Sequence, residues 1–217
     1  MTRTQEGRSE ERVCRPAHAP GLPSLRTAAR LPAAFYERET TTVARELLGR
    51  ILVRRLEGEL LAGVIVETEA YGPDDPASHA WRGETRRNAV MFGPPGRLYV
   101  YLTYGMHWCM NAVTGPPGIG EAVLIRALEP LAGLEAMRRN RGGVPDRLLC
   151  SGPARACQAL GITGAENGAD LAGDAVYILE ERVPVERVAA GPRIGIRHAV
   201  ERPWRFHIPG SPHVSRR

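Results

Sequence analysis

Lysine is missing from this chain. All 29 basic residues among the 217 are arginine, set against 24 acidic ones for a formal charge of +5. Without a side-chain amine there is no Schiff base, which excludes imine mechanisms and lysine-dependent β-lyase steps. A P-loop needs its lysine, so nucleotide hydrolysis of that type is excluded too. No apolar run reaches the roughly 18 residues of a membrane span, so no membrane partner is expected. Residues 1–20 are charged and broken by proline, unlike a secretory signal. The four cysteines (Cys14, Cys109, Cys150 and Cys157) contain no CxxC pair. A reduced, cytoplasmic setting is the simplest expectation. The basic set suits a phosphate-rich partner, because arginine stays charged and grips phosphate with two donors. GC-rich coding would produce the same bias, and the 18 prolines and 24 glycines agree with it.

Residues 1–31 hold six arginines, three glutamates and no periodic apolar pattern. They are expected to form a disordered basic leader, with residues 32–217 as one folded domain. The domain carries only +2, but in alternating blocks: −4 over 32–81, +5 over 82–155, −4 over 156–187 and +5 over 188–217. One basic and one acidic face would produce such an alternation.

A helix is predicted from an N-cap at Thr41 or Thr42 to Leu48, stopped by Gly49. Residues 51–56 and 60–71 read as strands around the hairpin signal Glu57-Gly58. Residues 97–104 and 107–113 read as a second hairpin, turning at Gly105. A strand follows over 122–128, then a helix opened by Pro130 and ending near Gly142. The next helix is opened by Ser151-Gly152-Pro153, with Ser151 as its cap, Pro153 near its first turn and Gly161 at its stop. Short strands are predicted over 175–179, 194–197 and 205–208. Strands joined by short turns imply antiparallel pairing, hence an α+β domain.

The run Val66-Glu67-Thr68-Glu69-Ala70-Tyr71 places Glu67, Glu69 and Tyr71 on one strand face by its two-residue period. Acids are depleted in strands and costly to bury, so two on one face need a reason. A solvent-facing strand is one. The other is a carboxylate acting as general base for water, at a strand exit leading into a loop with His79. In the aromatic strand, Tyr99 and Tyr101 point one way, and in the next one Cys109 and Asn111 share a face with His107. Tyr104, at the tip beside Gly105, is hard to bury and has the shape of a wedge between base pairs. An inward Arg126 needs a carboxylate partner, and Glu69 is the candidate. Metal binding is not expected. His107-x-Cys109 is half a ligand set at most, and the H-x-E and P-C-x-x-C pair of zinc deaminases is absent. The 115–120 Gly/Pro stretch lacks the amide donors of a phosphate loop.

The ordered set V-E-T-E-A-Y (66–71), His79, M-F-G-P-P-G-R-L-Y-V-Y-L-T-Y-G-M (91–106), Asn111, R-A-L-E-P (126–130), C-S-G-P (150–153) and G-S-P-x-V-S (210–215) resembles the alkyladenine (3-methyladenine) DNA glycosylase family. The group meant is the single-domain one, distinct from the helix-hairpin-helix enzymes, and the likeness runs over roughly residues 33–217. It implies a single domain around a curved, mostly antiparallel sheet. It implies an enzyme of base excision repair that removes alkylated or deaminated purines from duplex DNA, with no cofactor and no metal. By this resemblance Glu69 is the general base and Arg126 helps hold the attacking water. Tyr71, His79 and Tyr101 are the walls gripping the extruded base, and Asn111 excludes guanine. Tyr104, with Met106, enters the DNA, while Arg82, Arg86, Arg87 and Arg155 meet its backbone. A monomer working on nucleoid DNA is expected. A nucleic-acid-binding module without catalysis is the alternative, and Glu69 discriminates between them.

Overall fold

The computed structural model describes residues 22–215. In chain order the elements are α1 (Leu22–Thr27), α2 (Ala33–Tyr36), α3 (Thr40–Leu47), β1 (Arg50–Leu56), β2 (Glu59–Tyr71), β3 (Leu98–Thr103), β4 (His107–Val113), β5 (Ala122–Ala132), α4 (Leu134–Asn140), α5 (Pro153–Leu160), β6 (Val176–Arg182), β7 (Ala189–Gly191) and β8 (Arg205–His207). The eight strands form one open antiparallel sheet, six of them in the order β3-β4-β5-β2-β1-β6 and the other two, β7 and β8, paired with each other beside β2, and the domain is α+β. The long β2 has β5 along one side; on the other, β1 pairs with its first half and β8 with Glu67–Glu69.

Both hairpin turns follow from residues able to take positive φ. Glu57 and Gly58 have φ of 49° and 85°, and Tyr104 and Gly105 have 50° and 67°. Two successive left-handed residues match the right-handed twist of the flanking strands. Glycine adopts this region freely, whereas a bulky residue such as Tyr104 is held there at a cost of about 1–2 kcal/mol.

A β-bulge decides where the acidic pair goes. The β2–β5 register runs from Ile65↔Leu128 to Glu67↔Ala127, leaving Val66 as the extra residue. Before the bulge, Leu61 and Ile65 join the main core beneath α3 and α5; after it, Ala70 does so and the Thr68 hydroxyl donates to Ala44 O. The helix-facing parity therefore switches from odd to even. Without the extra residue, Glu67 and Glu69 would point into that core with Leu61 and Ile65. Each leucine buried there, such as Leu47 or Leu160, stabilises the fold by about 1.5–3 kcal/mol.

Several expectations are corrected. Helix α3 is capped by Glu39, whose carboxylate accepts from the Thr41 and Thr42 amides. Longer than Thr, the Glu side chain reaches both. Pro130 does not open a helix; it lies in β5 opposite Gly63, and α4 starts after Gly133 at φ 74°. Ser151 does not cap α5, because Gly152 occupies that place and the Ser151 hydroxyl instead accepts from Arg155. Residues 194–197 form a loop rather than a strand. The order also reaches into the expected leader. Leu25 and Leu31 are buried, and the Tyr177 hydroxyl donates to Leu25 O, so residues 24–31 belong to the folded body. Residues 1–21 of that leader lie outside the described residues.

Candidate active site

A pocket of about 480 Å³ lies over the strand residues that alternate with the main core, with Pro153 at the start of α5 also in its lining. Its lining includes Tyr71, His79, Tyr99, Tyr101, Asn111, Arg126 and the loop residues Ile194–His198. Strands β2, β3, β4 and β5 deliver Tyr71, Tyr99, Tyr101, Asn111 and Arg126 from one side, as the alternation required, and loops bring His79 and residues 194–198. Tyr99 and Tyr101 stack at 5.5 Å between centroids, and His79 meets Tyr101 edge-on at 4.4 Å. His79 Nδ1 is hydrogen-bonded to the Tyr99 hydroxyl at 3.1 Å. Asn111 Nδ2 donates to Tyr99 O at 3.0 Å, which fixes the amide across β3 and β4. The result is a slot with aromatic faces and a few fixed polar groups, suited to one flat ring.

Glu69 lies behind the floor of this slot with no exposed surface. Its Oε2 accepts from the Tyr71 hydroxyl at 2.8 Å and faces Arg126 Nη1 at 3.3 Å; Oε1 accepts from Ile194 N–H at 2.8 Å. All three partners line the pocket. Burial pushes the Glu69 carboxyl above its ordinary range, while Arg126, the Ile194 amide and the Tyr71 hydroxyl pull against that push. The outcome is a carboxylate more basic than one in water, still ionisable because a guanidinium faces it. A carboxylate oxygen accepts about two hydrogen bonds. Oε1 has one partner among the described residues, so it keeps capacity for a proton from water. Burial and Arg87 lower the pKa of His79, so it is an uncharged hydrogen-bonding group at neutral pH. Burial drives the Tyr99 hydroxyl up to about 12, and that of Tyr71 also rises, so both remain donors.

At the hairpin tip Tyr104 is 85% and Met106 70% exposed. Tyr104 also lines the mouth of the pocket. Arg82, Arg86, Arg87 and Arg155 are exposed. Arg87 donates to Leu102 O and lies 5.9 Å from the Tyr101 ring, so it braces the aromatic wall. Arg155 folds back on Ser151. Among the described residues, no group of three or more His, Cys, Asp or Glu is placed to hold a metal ion.

Two groups were missed by reading the sequence. Arg193, buried, forms a bidentate ion pair with the buried Asp75, donating from Nη2 at 2.9 Å and also from Nη1, and it lies 4.7 Å over the Tyr71 ring. It immediately precedes Ile194, whose amide reaches Glu69. The second group surrounds Glu67, which accepts from Arg205 Nε at 2.6 Å and from Ser215 N at 2.6 Å and Oγ at 3.0 Å. The G-S-P-x-V-S run was a signal for the second group. For Arg193 the one available signal was a basic residue in the short Gly/Pro run 191–195, which is weak.

Comparison with known proteins makes the chain a DNA glycosylase, a hydrolase of N-glycosyl bonds working in base excision repair. More narrowly, the family model for methylpurine-DNA glycosylase (MPG) matches residues 34–212, and the chain belongs to that family. A protein of Burkholderia lata is 55% identical over 190 residues, which cover 85% of this chain and 90% of that protein. Relatives from Carboxydothermus hydrogenoformans and Methanoculleus marisnigri are 50% and 51% identical, each covering 86% of this chain and 99% of the relative. All three are provisionally named 3-methyladenine DNA glycosylases. The alternative of a binding module without catalysis is set aside by this membership.

Proposed function

We propose that the protein removes alkylated and deaminated purines, of the 3-methyladenine and hypoxanthine type, from duplex DNA by flipping the damaged nucleotide into the slot. The observation that carries this is Glu69, a buried carboxylate whose three partners are themselves part of the slot's lining. Glu69 takes a proton from water as the water oxygen attacks C1′. The C1′–N bond breaks and its electron pair leaves with the purine. A purine made cationic by alkylation leaves neutral, so one base and one water suffice. Arg126 steadies the carboxylate and the water. Tyr71, His79 and Tyr101 hold the ring, and the electron-rich faces of the tyrosines favour a cation. Asn111 rejects guanine by crowding its exocyclic amine.

Tyr104 fills the space left in the stack and Met106 supports it, offsetting a flipping cost of a few kcal/mol. Arg82, Arg86, Arg87 and Arg155 contact phosphates. Every group invoked comes from one chain, so a monomer suffices, and its substrate is the DNA of the nucleoid. With no lysine to form an imine, the product is an intact strand with an abasic site. The test is a panel of duplexes, each with one defined lesion, assayed under single-turnover conditions and cleaved afterwards by alkali, with and without borohydride. Lesion-dependent release, strand scission dependent on alkali and no borohydride adduct are expected. Release that persists in Glu69→Gln would overturn the assignment.

A further inference from the structure

Arg126 cannot be understood from Glu69 alone. Its guanidinium spans two carboxylates: Nη1 is 3.3 Å from Glu69 Oε2 and Nε is 3.3 Å from Glu67 Oε1. Nε also donates to Ser215 Oγ at 3.1 Å, and that hydroxyl in turn donates to Glu67 Oε1 at 3.0 Å. Glu67 is fully buried and is further held by Arg205 Nε and the Ser215 amide, both at 2.6 Å. The far edge of Arg126 is thus fastened by a residue 89 positions away in the chain. Its Nη2 keeps no protein partner among the described residues, and Arg126 lines the pocket. A guanidinium is planar and rigid, so fixing Nε fixes the direction of both terminal nitrogens.

We propose that Glu67 and Ser215 are positioning residues of the hydrolytic site: together they hold Arg126 by its Nε edge so that Nη1 meets Glu69 and Nη2 remains for the substrate. The proposal rests on the reading of Glu69 as the base. Ser215 acts as a relay, accepting from Arg126 while donating to Glu67, and its own amide closes the C-terminal segment over the same carboxylate. Two arginines thereby balance two glutamates. Removing the charge of Glu67 would leave both cations to Glu69.

The charged and titratable groups facing Glu69 are Glu67 and Tyr71 on β2, Tyr101 on β3, Cys109 on β4, Arg126 on β5 and Arg205 on β8, with Arg193 over Tyr71 in the following loop. Of the two acids, Glu67 is the one that opposes ionisation of Glu69. Losing it therefore moves the acid limb of the rate profile to lower pH.

The test measures single-turnover excision against pH for the full-length protein on a duplex carrying one hypoxanthine, beside binding to a duplex with an abasic-site analogue. Ser215→Ala should slow excision about 10- to 100-fold, the range for a misplaced catalytic contact, with analogue binding and melting little changed. Ser215→Thr, which keeps the hydroxyl, should restore most of the rate. Glu67→Gln should move the acid limb to lower pH, a displacement that simple loss of folded protein would not produce. Wild-type rates in Ser215→Ala together with an unmoved limb in Glu67→Gln would overturn the proposal. If Glu67→Gln does not fold, the rate of Ser215→Ala and its rescue decide the matter alone. An active Glu69→Gln would instead bring down the reading of Glu69, so the two failures are distinguishable.

Discussion

Glu67 and Glu69 stand two residues apart on one strand face, both without exposed surface, and are held in opposite ways. Glu67 is held by four protein contacts, three of them from groups late in the chain: Arg205 and both donors of Ser215, with Arg126 at its edge. Glu69 meets three donors that belong to the wall of a pocket. The same residue type in the same strand geometry thus becomes an anchor or a candidate base according to what closes over it. The partners that cover Glu67 from Arg205 and Ser215 do not line the pocket, whereas every partner of Glu69 does, so Glu69 is the one set behind a space that can hold water.

Exchanging the charge for an amide at each position should separate the two. Glu69→Gln should reduce excision by about 10²- to 10⁴-fold, the usual contribution of a general base, while leaving abasic-analogue binding intact. Glu67→Gln should fall mainly in stability, because breaking a buried pair by removing one partner costs about 3–5 kcal/mol, read by denaturant unfolding. A Glu67→Gln protein of wild-type stability and no activity would reverse the assignment.

The arginines around Trp204 sharpen the same contrast. Arg193 and Arg202 both lie over its ring, at 5.3 and 4.6 Å. Arg193 pairs with Asp75 with both side chains fully buried, whereas the Asp74 partner of Arg202 is 74% exposed. Arg193→Met should cost about 3–5 kcal/mol and release the Ile194 amide from Glu69. Arg202→Met should cost below about 1 kcal/mol. Equal losses would mean that stacking on Trp204, and not the buried pair, is what matters.

At the exposed hairpin tip, the expected effect is functional without being structural. Tyr104→Ala should slow excision from paired duplex about tenfold, since the proposed wedge would offset part of a flipping cost of a few kcal/mol. Stability should move by no more than about 0.5 kcal/mol. Unchanged kinetics on duplex DNA would remove the wedge role.

The parts that could be read from sequence are those set by neighbours along the chain. The shared face of Glu67, Glu69 and Tyr71 followed from strand alternation, and the two hairpins from Glu57-Gly58 and Tyr104-Gly105. The pairing of Arg126 with Glu69 followed from the cost of an unpaired inward charge. The bulge at Val66 left no trace in composition, although it aims both acids. Arg193 finds Asp75 across 118 residues, and Ser215 finds Glu67 across 148. No local propensity encodes such separations. The loop at 194–197 reads as a strand because its apolar residues alternate, but they line a pocket instead of a ladder.

The smallest effect expected concerns the cost of keeping Glu69 ready. Burial raises its carboxyl above the ordinary value despite Arg126. For a carboxyl raised on folding, the stabilising contribution is complete below the unfolded value and is lost as pH rises through the folded one. Ionised Glu69 is therefore a net burden on the fold at neutral pH, a common cost of a functional group. Glu69→Gln should melt at or slightly above the wild-type temperature near pH 7, and the difference should close on acidification below the ordinary glutamate range. Glu67→Gln should melt below wild type near pH 7. Melting curves of both variants between about pH 4 and 8 check the pair. If Glu69→Gln loses as much stability near neutrality as Glu67→Gln, the two carboxylates are held alike and burial behind the slot sets Glu69 apart in position alone.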